Sequence, residues 1–117
     1  MNDEPRLIDE FRARWQGQCS AGAPCRAAGK VAAWSLGRMC QVLQRGSARP
    51  LRIAERGAHS PTPHELALLS TYNALAAGED DLAREHARWL VRGDFVGALL
   101  RAMEPIASGP ARKVLAA

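Results

Sequence analysis

The tetrapeptide Thr62-Pro63-His64-Glu65 constrains this chain more than any other feature. A threonine hydroxyl can accept from the amide three residues on, while the glutamate carboxylate reaches back to the threonine amide. A proline in the first turn costs nothing, because its missing N–H would have had no helical partner. The four residues therefore predict a helix start, and the apolar positions that follow keep helical spacing. Leu68, Leu69, Tyr72, Leu75 and Ala76 share one side of a helix running to about Ala77, and Gly78 is placed to stop it.

The same order of cap, stripe and stop recurs twice more. Asp80 is the expected cap of a second helix whose inward stripe is Leu82, His86, Trp89 and Leu90, with Gly93 as its stop. Asp94 is the expected cap of a third, carrying Phe95, Val96, Leu99, Leu100 and Met103. Pro105 disfavours helix at Glu104, although Ile106 is still expected to pack. Connections this short make neighbouring helices double back, so residues 62–106 read as a helical scaffold.

The first half is less regular. Residues 5–16 form an amphipathic segment with Leu7, Ile8, Phe11 and Trp15 on one stripe, ended by Gly17. Residues 17–28 read as a loop punctuated by Gly17, Ser20, Gly22 and Pro24. Residues 29–45 return to helical spacing, with Ala32, Leu36, Met39, Cys40 and Leu43 inward and Gly46 as the stop. Gly37 weakens this helix by about 1 kcal/mol against alanine. Residues 47–61 contain Pro50 and a short alternating stretch, Leu51-Arg52-Ile53-Ala54. It is expected to be at most one extended segment, paired between copies if at all. The fold expectation is therefore all-α: one domain over residues 1–117, a small bundle of four to five short helices.

With 47% apolar residues the chain can bury a core without disulfide or metal support. No apolar run approaches the roughly 20 residues of a membrane span. The start, Met1-Asn2-Asp3-Glu4-Pro5, is acidic and polar where a secretory signal is basic and then apolar, and the three cysteines are an odd number. These features predict a cytoplasmic protein that does not engage membranes.

No catalytic pattern is assembled. Cys19, Cys25 and Cys40 lack the tight pairing that a zinc site uses, and His59 and His64 lie far along the chain, so no metal and no cofactor are expected. Cys19 and Cys25 are the only thiols spaced for a redox pair, with Arg26 beside the second. His86 reads as a partly buried structural histidine, no glycine cluster has the ending of a phosphate loop, and no nucleophile sits beside a base. The chain is read as not an enzyme.

Charge gives the functional expectation. Between Glu10 and Glu55 there is no acidic residue, while Arg12, Arg14, Arg26, Lys30, Arg38, Arg45, Arg49 and Arg52 fall in that interval. Residues 1–57 form a basic half and the remainder is near neutral. Arginine outnumbers lysine 14 to 2, a bias typical of GC-rich bacterial coding, so position counts for more than number. On the 29–45 helix, Lys30, Trp34, Arg38, Gln41 and Arg45 recur every three or four residues, opposite Leu36, Met39 and Leu43. Tryptophan and arginine dominate interface hot spots. Either this face docks a partner, or the N-terminal helix ending in Trp15 covers Trp34. The expectation is a small regulatory helical protein binding an acidic protein through this surface, with a second copy of itself as one form of that partner. The alternative is a nucleic-acid-binding regulator, and a thiol-redox protein using Cys19 and Cys25 is the third class.

Overall fold

The computed structural model describes residues 4–16, 29–55 and 57–107. It is an all-α globule of five helices, with no strand among the described residues: α1 (Glu4–Trp15), α2 (Gly29–Gly46), α3 (Pro63–Ala76), α4 (Asp80–Ala87) and α5 (Gly93–Ala107). None of them is long and apolar enough to cross a membrane. The most extensive packing joins α2 to α5 and α3 to α4, and α1 lies mainly on α2. The shared core includes Leu7, Phe11, Leu36, Met39, Leu43, Leu68, Tyr72, Leu90, Leu99, Met103 and Ile106. Inside it the Ser35 hydroxyl donates to the Ala102 carbonyl, tying α2 to α5.

Helix α3 begins as its sequence requires. The Thr62 hydroxyl accepts from the Glu65 amide at 3.1 Å, and the Glu65 carboxylate accepts from the Thr62 amide at 2.8 Å. Its end is equally well defined. The Glu79 amide donates to Ala74 O at 2.8 Å and the Gly78 amide to Leu75 O at 3.0 Å. This pair of bonds closes a Schellman turn around Gly78 at φ +78°, a conformation that costs a residue with a Cβ.

Four boundaries differ from the sequence expectation. Asp80 is the first helical residue of α4 rather than its cap. Glu79 holds the cap position and makes no side-chain bond there, so the acids act on the helix dipole alone. The helix stops at Ala87, not near Gly93, and the chain turns through Trp89 N to His86 O and Leu90 N to Ala87 O, both about 3 Å. Gly93 opens α5, with Asp94 inside its first turn. Finally, α5 runs through Pro105 to Ala107. The proline deprives the Arg101 carbonyl of its helical donor, but Arg101 lies on the exposed side, and the added turn buries Ile106 and Ala107 completely.

The inward stripe of α4 also differs. Ala83, Ala87 and Leu90 are the buried residues, whereas Leu82 and Trp89 are exposed and His86 is intermediate. Both faces have helical spacing, so periodicity alone does not choose between them. The turn after Ala87 chooses. It carries Leu90 and Val91 inward, where Val91 forms an isolated antiparallel bridge with Ser47, held by Ala48 N to Leu90 O and Arg92 N to Gly46 O. Two alanines then let α4 lie close against α3.

Residues 51–54 belong to no strand, and the backbone groups of Arg52 and Ala54 bond to side chains of the same chain. The Arg52 amide donates to His64 Nδ1 at 2.9 Å, and the Arg52 carbonyl accepts from the Thr62 hydroxyl at 2.5 Å. The Ala54 amide donates to Glu65 Oε2 at 2.9 Å, and the Ala54 carbonyl accepts from Gln16 at 2.6 Å. These four backbone groups are satisfied without a sheet.

Glu65 is fully buried. Arg12, also buried, donates to it through Nε to Oε2 and Nη2 to Oε1, each at 2.8 Å. Burial alone would push the Glu65 carboxyl up, but the Arg12 hydrogen bonds, the Thr62 and Ala54 amides and the Arg12 charge outweigh it and hold the carboxyl below its usual range. A carboxylate with a depressed native pKa stabilises the fold above the unfolded-state pKa and stops doing so as pH falls through the native one. At neutral pH, Glu65→Gln should cost about 3 kcal/mol by leaving the Arg12 charge buried and unpaired. The gap between wild type and variant should narrow as pH falls through and below the carboxylate range, as read by urea titrations at successive pH values. A gap that stays constant with pH would show that the carboxylate charge is not what the variant loses.

The last residue of α2, Gly46, is a glycine for a steric reason: a Cβ there would collide with the ring and Cβ of Phe95. Gly46→Ala should therefore destabilise by about 1–3 kcal/mol, the usual range for overpacking, although alanine is the better helix former. A neutral or stabilising result in thermal melts would mean that Phe95 moves aside freely.

Candidate functional site

Helix α2 divides its two faces cleanly. Ala32, Ser35, Leu36, Met39, Cys40, Val42 and Leu43 are buried. Trp34, Arg38, Gln41 and Arg45 are exposed, Trp34 at 59%. The N-terminal helix therefore does not cover Trp34. Its own terminal aromatic, Trp15, is instead occupied with Phe11, the ring centroids 5.9 Å apart and tilted by 31°.

The structure gathers part of the expected set into one place. Trp34, Arg38 and Gln41 line an open depression of about 400 Å³ together with Ala33, Gly37 and Arg14 of α1. Arg38 Nη1 donates to Gln41 Oε1 at 3.1 Å, which orients the guanidinium along the helix. Arg45 is exposed one turn beyond and does not line the depression. Its carbonyl accepts from Arg92 Nη2 at 3.2 Å. The side chain of Lys30, and Cys19 and Cys25 altogether, lie outside the described residues.

Arg14 is the member that helical spacing on α2 does not reveal. Its guanidinium lies beside Gly37, where an added Cβ would stand 3.4 Å from Arg14 Nη1, an ordinary contact. Arg12, by contrast, leaves the basic set. Its guanidinium is spent on Glu65 and on the Ala58 and Ser60 carbonyls at 3.1 and 3.5 Å. Arg49 lies elsewhere, stacked over Trp89 with its guanidinium carbon 5.1 Å from the ring centroid.

The lining groups are two guanidiniums, an indole and an amide. Such a set can hold a carboxylate by charge-assisted hydrogen bonds and can stack on a planar group. Among the described residues the lining of the depression has no carboxylate, thiol or imidazole. Among the described residues, no three His, Cys, Asp or Glu side chains cluster closely enough to hold a metal ion. Cys40 is on the buried face of α2, and burial pushes its thiol up to about 12, the charge of Arg14 opposing this only in part. No family model matches the chain, and neither a curated protein nor a solved structure matches it.

A thiol held protonated and shielded is a slow nucleophile. In a Cys19→Ser/Cys25→Ser variant, Cys40 should label slowly with a thiol reagent in native buffer and rapidly in denaturant. Fast native labelling would place Cys40 at the surface.

Proposed function

We propose that this chain is a small non-catalytic docking protein that engages an acidic protein partner through the exposed face of α2 and Arg14. The observation carrying the reading is the 59% exposure of Trp34 in a depression shared with Arg14 and Arg38. A large aromatic ordinarily buries most of its surface. One left outside in a depression shared with two arginines has the composition of an interface hot spot. The aromatic ring supplies apolar area, the arginines select carboxylates, and α5 holds α2 in place from behind. Cys40, buried as a free thiol, suits a reducing compartment such as the cytoplasm.

The nucleic-acid reading rests on the same residues, since Trp34 can stack on a base and arginine can pair with phosphate. The protein reading is favoured because the cationic surface is short. Among the described residues, Arg12 is withdrawn into the core and Arg49 stands over Trp89, which leaves fewer cations along α2 than the sequence interval holds.

The test uses a tagged full chain in its native extract, with and without nuclease. Arg38→Glu should abolish capture of the bound species while moving the thermal midpoint little, because exposed charge changes usually cost under about 0.5 kcal/mol. Trp34→Ala should do the same. With the captured species in hand, a modest salt dependence supports the protein reading, and a steep log-linear one with loss on nuclease treatment supports nucleic acid. Capture unaffected by either substitution removes this surface from consideration.

A further inference from the structure

A second surface stands apart from α2. Leu82, His86 and Trp89 follow one another at helical spacing on the outer side of α4 and the turn after it. Leu82 is 41% exposed and Trp89 62%, and the neighbouring α3 leaves Leu66 50% exposed. Between the helices a groove of about 310 Å³ is lined by Pro63, His64, Leu66, Ala67, His86 and Trp89. Exposed apolar side chains gathered into one groove mark interaction sites.

The charges beside this groove are ordered. On the side of α4 next to the groove, the exposed acid Asp81 stands at the start and the exposed base Arg88 at the end, while Asp80 and Arg84 line a hollow on the α5 side with Arg101 and Glu104 and Arg92 lies over the Phe95 ring. Arg49 adds a further positive charge over Trp89 at that same end. Asp81 and Arg88 lie seven residues apart and so share a helix side, flanking the apolar stripe. Glu85, midway along that side, shares a hollow with Arg49 and Arg88. A surface that is acidic at one end, basic at the other and apolar between is complementary to itself after a two-fold rotation. That is the requirement of an isologous dimer.

We propose that the α3–α4 face docks a second copy of this chain, with the two α4 helices antiparallel, Trp89 of each copy seated in the other's groove, and Asp81 of each facing Arg88 of the other. The acid-to-base order also suits the dipole of α4 itself. The dipole, however, gives no reason for Leu82 and Trp89 to lie outside. The two effects separate in trans, since a dipole effect belongs to one chain and a docking effect to the pair. The proposal does not depend on the α2 reading and uses none of its residues.

The experiment is sedimentation equilibrium of the full-length protein over a range of concentrations. The wild type should show a reversible monomer–dimer equilibrium. Asp81→Arg alone and Arg88→Glu alone should each weaken it at least tenfold, because each sets like charges against each other twice. An equimolar mixture of the two variants should recover the dimer, since both contacts then join opposite charges. Trp89→Ala should weaken association with little change in thermal midpoint, and Arg38→Glu should leave it intact. A wild type that stays monomeric at every attainable concentration overturns the proposal and leaves the groove to an unrelated chain. So does a mixture that associates no better than either variant alone.

Discussion

The bidentate contact between Arg12 and Glu65 is the interaction on which the first half of the fold depends. The Glu65 carboxylate accepts four hydrogen bonds, two from Arg12 and one each from the amides of Thr62 and Ala54. This uses essentially the full acceptor capacity of an ionised carboxylate. The remaining donors of Arg12 reach the Ala58 and Ser60 carbonyls. One ion pair thus joins α1, the irregular segment before α3 and the first turn of α3, three pieces of chain that share no regular secondary structure. The two ions leave water at a cost of several kcal/mol each, so the pair adds little net stability over an apolar substitute. What it contributes is a single solution. With every acceptor site filled, α1 cannot slide or turn on α3 without leaving a buried charge unpaired.

That arrangement explains how an irregular segment is kept in place. A stretch carrying Pro50 and one or two alternating residues has neither a ladder nor a helix to satisfy its backbone. Here the side chains of Gln16, Thr62, His64 and Glu65 take those bonds. The capping residues of α3 therefore serve twice, once toward their own helix and once toward the chain that precedes it. The Asp9 carboxylate extends the same device by accepting from the Gly57 amide at 2.9 Å.

Local chemistry was legible in the sequence wherever it was self-contained. The capping box, the Gly78 stop, the inward stripe of α2 and the burial of Cys40 all depend on residues within a few positions of one another, and they stand where the spacing put them. What depends on a distant partner was not legible. Nothing near Glu65 announces Arg12, 53 residues away, and nothing near Gly46 announces the Phe95 ring. The outward face of α4 was misread because two stripes have equal periodicity, and the choice rests on how Leu90 and Val91 meet Ser47. On α2 the exposed face was legible, but its neighbour Arg14 comes from another helix, which spacing along α2 does not announce.

The acid-free interval shows why charge read along a chain overstates charge read on a surface. Eight bases fall between Glu10 and Glu55, but folding sorts them. Arg12 is neutralised in the core and Arg49 is drawn over Trp89, while Arg14 and Arg38 remain beside Trp34 and Arg45 lies one turn further on. Among the described residues, two of those cations share one depression with an indole. If this face docks an acidic protein, as proposed, it would discriminate by geometry more than by total charge, because a carboxylate must come within hydrogen-bond reach of the guanidiniums while an apolar group covers the ring. Long-range attraction falls off within about 8–10 Å at ordinary salt. Selectivity in the proposed docking would therefore come from contact, for which the exposure of Trp34 is the requirement.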